Sequence, residues 1–128
     1  MDGLNERMEA AGRALFRLHE GTAREELSDI ERDGMIQRFE YCFELLWKCG
    51  KDFLLDREGL EAASPKRVIR LLREVGIFDD SETEHLLRML DDRNMTAHTY
   101  DEALAAKLAV RIREHEKLMQ EWYRRMQS

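Results

Sequence analysis

The chain has one proline, seven glycines and two cysteines in 128 residues, and each scarcity narrows the fold. With so little proline and glycine and no β-branched runs, it lacks the makings of a sheet, whose strands need Val, Ile and Thr. No apolar stretch approaches the roughly 20 residues that cross a bilayer, which excludes a spanning helix. The opening Met1-Asp2-Gly3-Leu4-Asn5-Glu6 has neither a basic start nor an apolar core, so no secretory signal is expected. Positive charge is in deficit: 21 Lys and Arg face 27 Asp and Glu, a formal net charge of −6. No overall positive field draws in nucleic acid or an anionic membrane, and any RNA contact must use a local basic patch.

Cys42 and Cys49 lie seven residues apart on one predicted helix. At 1.5 Å rise per residue their Cα atoms stand about 10 Å apart, beyond disulfide reach. They are expected to be reduced, half-buried thiols of a cytoplasmic protein. There is no Cys-x-x-Cys and no His-x3-His, and the four histidines are scattered, so no metal site or other cofactor is expected.

What is abundant is charge, 38 % of residues, arranged around helical apolar stripes. The length suits one domain over residues 1–128. Leu4, Met8, Ala11, Leu15 and Leu18 make the first stripe, ending near Gly21 and Thr22. Ser28 with Glu31 predicts a capping box for a long second helix running to about Arg57. Its inward face is Ile36, Phe39, Phe43, Leu46, Gly50 and Phe53, widened by Trp47 and Leu54. Its outer face carries the pair Glu44 and Lys48. After a break at residues 59–64, Ser64 and Pro65 open a short third helix with Val68, Leu71, Leu72 and Val75 inward and Gly76 as its stop. Ser81 and Glu84 predict the cap of a fourth helix through Leu86, Leu87 and Leu90. Thr99 and Glu102 predict that of a fifth, with a stripe of Leu104, Leu108, Ile112, His115, Met119, Trp122 and Met126. Five amphipathic helices and no strand pattern imply an all-α, up-and-down antiparallel bundle. His115, the polar member of its stripe, reads as a core-edge histidine with one satisfied nitrogen.

Between the last two helices runs Arg93-Asn94-Met95-Thr96-Ala97-His98-Thr99-Tyr100, an Arg-x4-His-x-Tyr pattern. It gathers a permanent cation, an imidazole titrating near neutrality and a phenol on one short segment. Arg93 is expected to end the fourth helix and His98 to stand just before the cap of the fifth. A helix N-terminus there would seat a phosphate, with the Arg93 guanidinium bonding it. Asn94 would either add its amide to the same oxygens or cap the preceding helix. By itself, Tyr100 reads as a packing aromatic at a helix start. Asp91, Asp92, Asp101 and Glu102 crowd the run and oppose a simple phosphate site. On the third helix, Lys66, Arg70 and Arg73 form a basic stripe, a candidate RNA or phosphate contact.

Three ordered blocks carry a family resemblance. Ile36-Gln37-Arg38-Phe39-Glu40 through Phe43-Glu44-Leu45 to Trp47-Lys48 and Lys51 is similar to the hallmark second helix of nucleotidyltransferase substrate-binding proteins. Ser64-Pro65-Lys66-Arg67-Val68-Ile69-Arg70 and Asp91-Asp92-Arg93-Asn94-Met95-Thr96-Ala97-His98-Thr99-Tyr100-Asp101-Glu102 resemble its later blocks in order and spacing. These proteins belong to the HEPN superfamily. The resemblance covers roughly residues 30–120 and implies a bundle of four or five helices, a homodimer, and a minimal nucleotidyltransferase as partner. It implies a toxin–antitoxin pair in which the HEPN subunit is a metal-independent endoribonuclease. Arg93 and His98 would be its catalytic pair, and the transferase would silence it by moving AMP onto Tyr100. Two other readings stand beside this one. One is a non-catalytic subunit that binds a nucleotide or acceptor for the transferase; the other is an interaction domain whose motif only shapes the dimer seam.

Overall fold

The computed structural model describes residues 2–127, so Met1 and Ser128, the ends of the expected domain, lie outside it. The elements are α1 (Asp2–Thr22), α2 (Asp29–Glu58), α3 (Pro65–Glu74), α4 (Asp80–Met95), a 3-10 turn (Thr96–His98) and α5 (Glu102–Gln127). No strand occurs among the described residues, and the architecture is the expected antiparallel helical bundle. α2 is its axis, packing against every other helix, while α1 and α5 also meet each other and α3 pairs with α4.

Local signals set most boundaries as expected. Ser28 and Glu31 close a full capping box, with the Glu31 N–H donating to Ser28 Oγ at 3.1 Å and the Ser28 N–H to Glu31 Oε1 at 2.9 Å. α2 ends at Gly59, whose φ of 66° lies in the left-handed region that glycine tolerates. Ser64 Oγ then accepts the Arg67 N–H at 3.2 Å, with Pro65 as the first helical residue. Gly50 has a packing role: a Cβ there would lie 2.8 Å from Val68 Cγ1 and 3.3 Å from Leu72 Cδ1. Its missing side chain is what lets α3 close on α2. The core is completed by Trp122 of α5, which takes Phe43 and Phe78 edge-on at centroid distances of 5.9 and 6.0 Å.

Five expectations need correction. The fourth helix is capped by Asp79 with Glu82, not Ser81 with Glu84. Asp79 Oδ1 accepts the Glu82 N–H at 2.7 Å, and Arg125 of α5 holds the Glu82 carboxylate in place with a second contact at 2.7 Å. α4 also runs past Arg93 to Met95, and the 3-10 turn that follows delays α5 to Glu102. The carboxylate of Asp101, rather than Thr99, therefore accepts the N–H of Leu104, at 3.2 Å. Cys42 and Cys49 are fully buried rather than half-buried. Burial is the main cause that raises the Cys42 thiol and pushes Cys49 up to about 12, so both stay protonated. His115 is no edge residue: it is 4 % exposed, and both its ring nitrogens have partners.

Candidate functional site

The last turn of α4 and the 3-10 turn hang on α2 through two carboxylates one helical turn apart. Glu44 takes the Arg93 guanidinium in an ion pair. The same carboxylate also accepts the Trp47 indole N–H at 3.1 Å and lies 3.7 Å from Lys48 Nζ. Glu40 meets the buried Thr96 hydroxyl at 2.6 Å, and that hydroxyl is also 2.7 Å from the Arg93 carbonyl oxygen. Arg93 is thus fixed at both ends, its backbone by Thr96 and its side chain by Glu44. Its Nε is buried without a hydrogen-bond partner among the described residues, so Glu44 leaves the guanidinium only partly satisfied.

Behind Arg93 lies a polar chain inside the bundle. The buried Asp92 carboxylate accepts from His115 Nε2 at 2.7 Å and from Arg111 Nη1 at 3.2 Å. His115 Nδ1 is 2.9 Å from His85 Nε2, and Phe39 stacks on the His115 ring at a centroid distance of 5.8 Å. A carboxylate only accepts, so His115 carries a proton on Nε2, facing Asp92. Burial, then His115 and Arg88, lowers the His85 pKa, against a smaller raising effect of Glu114.

His98 and Tyr100 sit on the solvent side. The 3-10 turn leaves both exposed, Tyr100 at 82 %, and brings His98 Nδ1 within 3.2 Å of the Tyr100 hydroxyl with the rings edge-on. Tyr100 is therefore not a packing residue. The expected phosphate seat beside His98 is altered as well. His98 stands three residues before Asp101, whose own negative charge occupies the start of α5. Asn94 is exposed and does not cap α4, whose C-cap is Thr96; its amide oxygen lies 3.5 Å from Arg93 Nη1.

Lys66, Arg70 and Arg73 are exposed as a stripe, but they are not brought to the motif. Arg73 pairs with Asp80 at 2.8 Å at the start of α4, about 20 Å along that helix from Arg93 at 1.5 Å per residue. The hollow beside the stripe balances Arg67, Arg70 and Arg73 with Glu74, Asp80 and Glu84. Sequence reasoning missed Glu40, Thr96 and the Asp92–His115–His85 chain, and it placed Glu44 on an outer face. The available signal was the spacing of Glu40 and Glu44, which stacks two acids on one side of a largely buried helix. Among the described residues there is no cluster of three or more His, Cys, Asp or Glu that could hold a metal, and no helix long and apolar enough to cross a membrane.

The Arg-x4-His-x-Tyr run begins in the last turns of α4 and continues through the 3-10 turn of a helical bundle. The chain belongs to the nucleotidyltransferase substrate binding protein like family, which it matches over residues 6–128. A protein of Thermus thermophilus of known crystal structure is 47 % identical, with a TM-score of 0.89 over 92 % of this chain and 99 % of that one. Two more distant structures share the fold. A chain of the toxin–antitoxin MntA–HpeT is 14 % identical with a TM-score of 0.81, covering 99 % of this chain and 98 % of its own length. A chain from the tri-AMPylated Shewanella oneidensis HEPN toxin in complex with its MNT antitoxin is 15 % identical with a TM-score of 0.80, over the same shares. No curated protein matches the chain.

Proposed function

We propose that this protein is the HEPN subunit of a two-component HEPN–minimal nucleotidyltransferase system and a metal-independent endoribonuclease, acting as a homodimer in the cytoplasm. The observation that carries this reading is a tethered cation in the last turn of α4 followed by an exposed imidazole in the adjoining 3-10 turn. Arg93 is held by Glu44 and Thr96, while His98 faces solvent. RNA brings its own nucleophile, the ribose 2′-OH. His98 takes that proton as the oxygen attacks the adjacent phosphorus. The bond to the 5′-oxygen breaks, and the same histidine of a second copy returns a proton to that leaving group. Arg93 stabilises the extra negative charge on the pentacoordinate phosphorus. Lys66, Arg70, Arg73 and Asn94 are proposed as auxiliary phosphate contacts.

The exposed Tyr100 hydroxyl suits an AMP acceptor. Its oxygen attacks the α-phosphorus of ATP held by the transferase, the phenolic proton leaves, and pyrophosphate departs. The product places bulk and negative charge beside His98, which blocks and repels RNA. Purified wild type should cleave RNA in chelator, and Arg93→Ala and His98→Ala should abolish both cleavage and growth inhibition. A folded wild-type dimer inert on every RNA tried would sink the nuclease reading.

A second reading is a non-catalytic subunit that binds a nucleotide for the transferase. The engagement of Arg93 by Glu44 favours it, since a neutralised guanidinium is a weaker electrophile than a free one. Calorimetry with nucleotides, with and without the transferase, should show binding under this reading, and its absence removes it.

A further inference from the structure

The nuclease reading leaves open what holds the strand, and a face of α1 and α2 offers the chemistry. Arg13 and Arg17 stand one turn apart on α1, both exposed, and neither has a carboxylate within ion-pair distance among the described residues. The two arginines separate two hollows. One, of about 540 Å³, is lined by Phe16, itself 71 % exposed. The other, of about 430 Å³, is lined by Tyr41, 52 % exposed, and by Glu44. Gln37 donates to the Tyr41 hydroxyl at 2.9 Å and sets that ring's orientation. Glu44, which lines the second hollow, is also the residue that grips Arg93, so one side chain links this face to the Arg93 site.

We infer that this face is a single-stranded RNA track leading into the Arg93–His98 site, an inference that rests on the nuclease reading above. Two cations one helical turn apart, about 6 Å along the axis, match neighbouring phosphates of an extended strand. Exposed aromatic rings on either side give unpaired bases surfaces to stack on, and stacking tolerates any base. The local charge balance supports it. In an acidic chain, the acids lining the two hollows are Glu9 and Glu44, Glu44 is already paired with Arg93, and the neighbouring Glu20 is paired with Arg38. The α3 hollow, by contrast, sets three acids against three arginines. A duplex would pair its bases away from Phe16 and Tyr41, so the track selects single strands.

The test is fluorescence anisotropy of the full chain with a labelled 2′-O-methyl oligouridine, which cannot be cut through a 2′-OH, alone and annealed to its complement. Variants are compared at concentrations where light scattering gives them the wild-type mass. Wild type should prefer the single strand. Arg13→Ala/Arg17→Ala should weaken binding at least tenfold and flatten the log–log salt slope by about 1.4, at about 0.7 for each phosphate no longer neutralised. Phe16→Ala and Tyr41→Ala should each cost about tenfold with the slope unchanged. Undiminished binding by all these variants overturns the track and leaves the nuclease reading standing. Failure of wild type to bind or cut any RNA removes both. Unchanged RNA affinity with loss of the dimer or of the transferase complex would make this face a protein interface and overturn the inference.

Discussion

Glu44 of α2 holds Arg93 of α4 by an ion pair that crosses the bundle, joining the first and last of the sequence blocks that mark the family. The pair aims the guanidinium and screens its charge at once. Glu44→Gln keeps an acceptor for Trp47 and removes the anion. If Glu44 positions Arg93 for catalysis, the variant should lose about tenfold to a hundredfold in kcat, the cost of ångström-scale misplacement, with little change in melting temperature. Unchanged or faster cleavage would mean that the pair restrains Arg93 rather than aiming it.

The chain Asp92–His115–His85 gives stability a pH dependence. The folded His85 pKa lies below its ordinary 6.5, so the unfolded state binds the extra proton first. His85 therefore contributes its full stability above about 6.5, and the contribution falls as pH drops through 6.5 toward the depressed folded value. Arg88, Glu114 and His115 act on its charge, and Asp92 with Arg111 anchors the far end of the chain. Urea midpoints should decline from pH 7 to pH 5 in wild type. His85→Gln keeps a donor toward His115 and removes the titration, so it should decline less steeply. Parallel slopes would show that other groups carry the effect.

Gly50 should be the least replaceable glycine of α2. Gly50→Ala forces a methyl to within 2.8 Å of Val68, which overpacking makes costly despite the better helix propensity of alanine. A loss of about 1–2 kcal/mol in urea unfolding is expected. Val68→Ala in the same chain should recover part of it, and a Gly50→Ala protein as stable as wild type would show that α3 shifts freely.

Much of the fold was legible because it rests on local rules. The Ser28–Glu31 box, the Ser64-Pro65 start and the break from residue 59 need only neighbouring residues, and each formed as written. The misread caps failed where a distant group intervened. Asp79 won over Ser81 once Arg125, far along the chain, fixed the Glu82 carboxylate. Thr99 lost its cap to Asp101 because the Thr96 hydroxyl, bonded to Glu40, holds residues 96–98 in a tighter turn.

The candidate site divides in the same way. Sequence by itself determined which reactive groups share the segment, Arg93, His98 and Tyr100, and through its ordered blocks the family. The spacing of the apolar residues also made five amphipathic helices unavoidable, since periodicity is a property of the chain alone. Only the tertiary structure decided what each group faces. Glu44 kept its expected partner Lys48 and gained Arg93, which it anchors, while His115 changed from a rim residue to the centre of a buried chain. Ion pairs and shared protons depend on distances between helices, and those are set by side-chain packing around α2, which no single segment encodes.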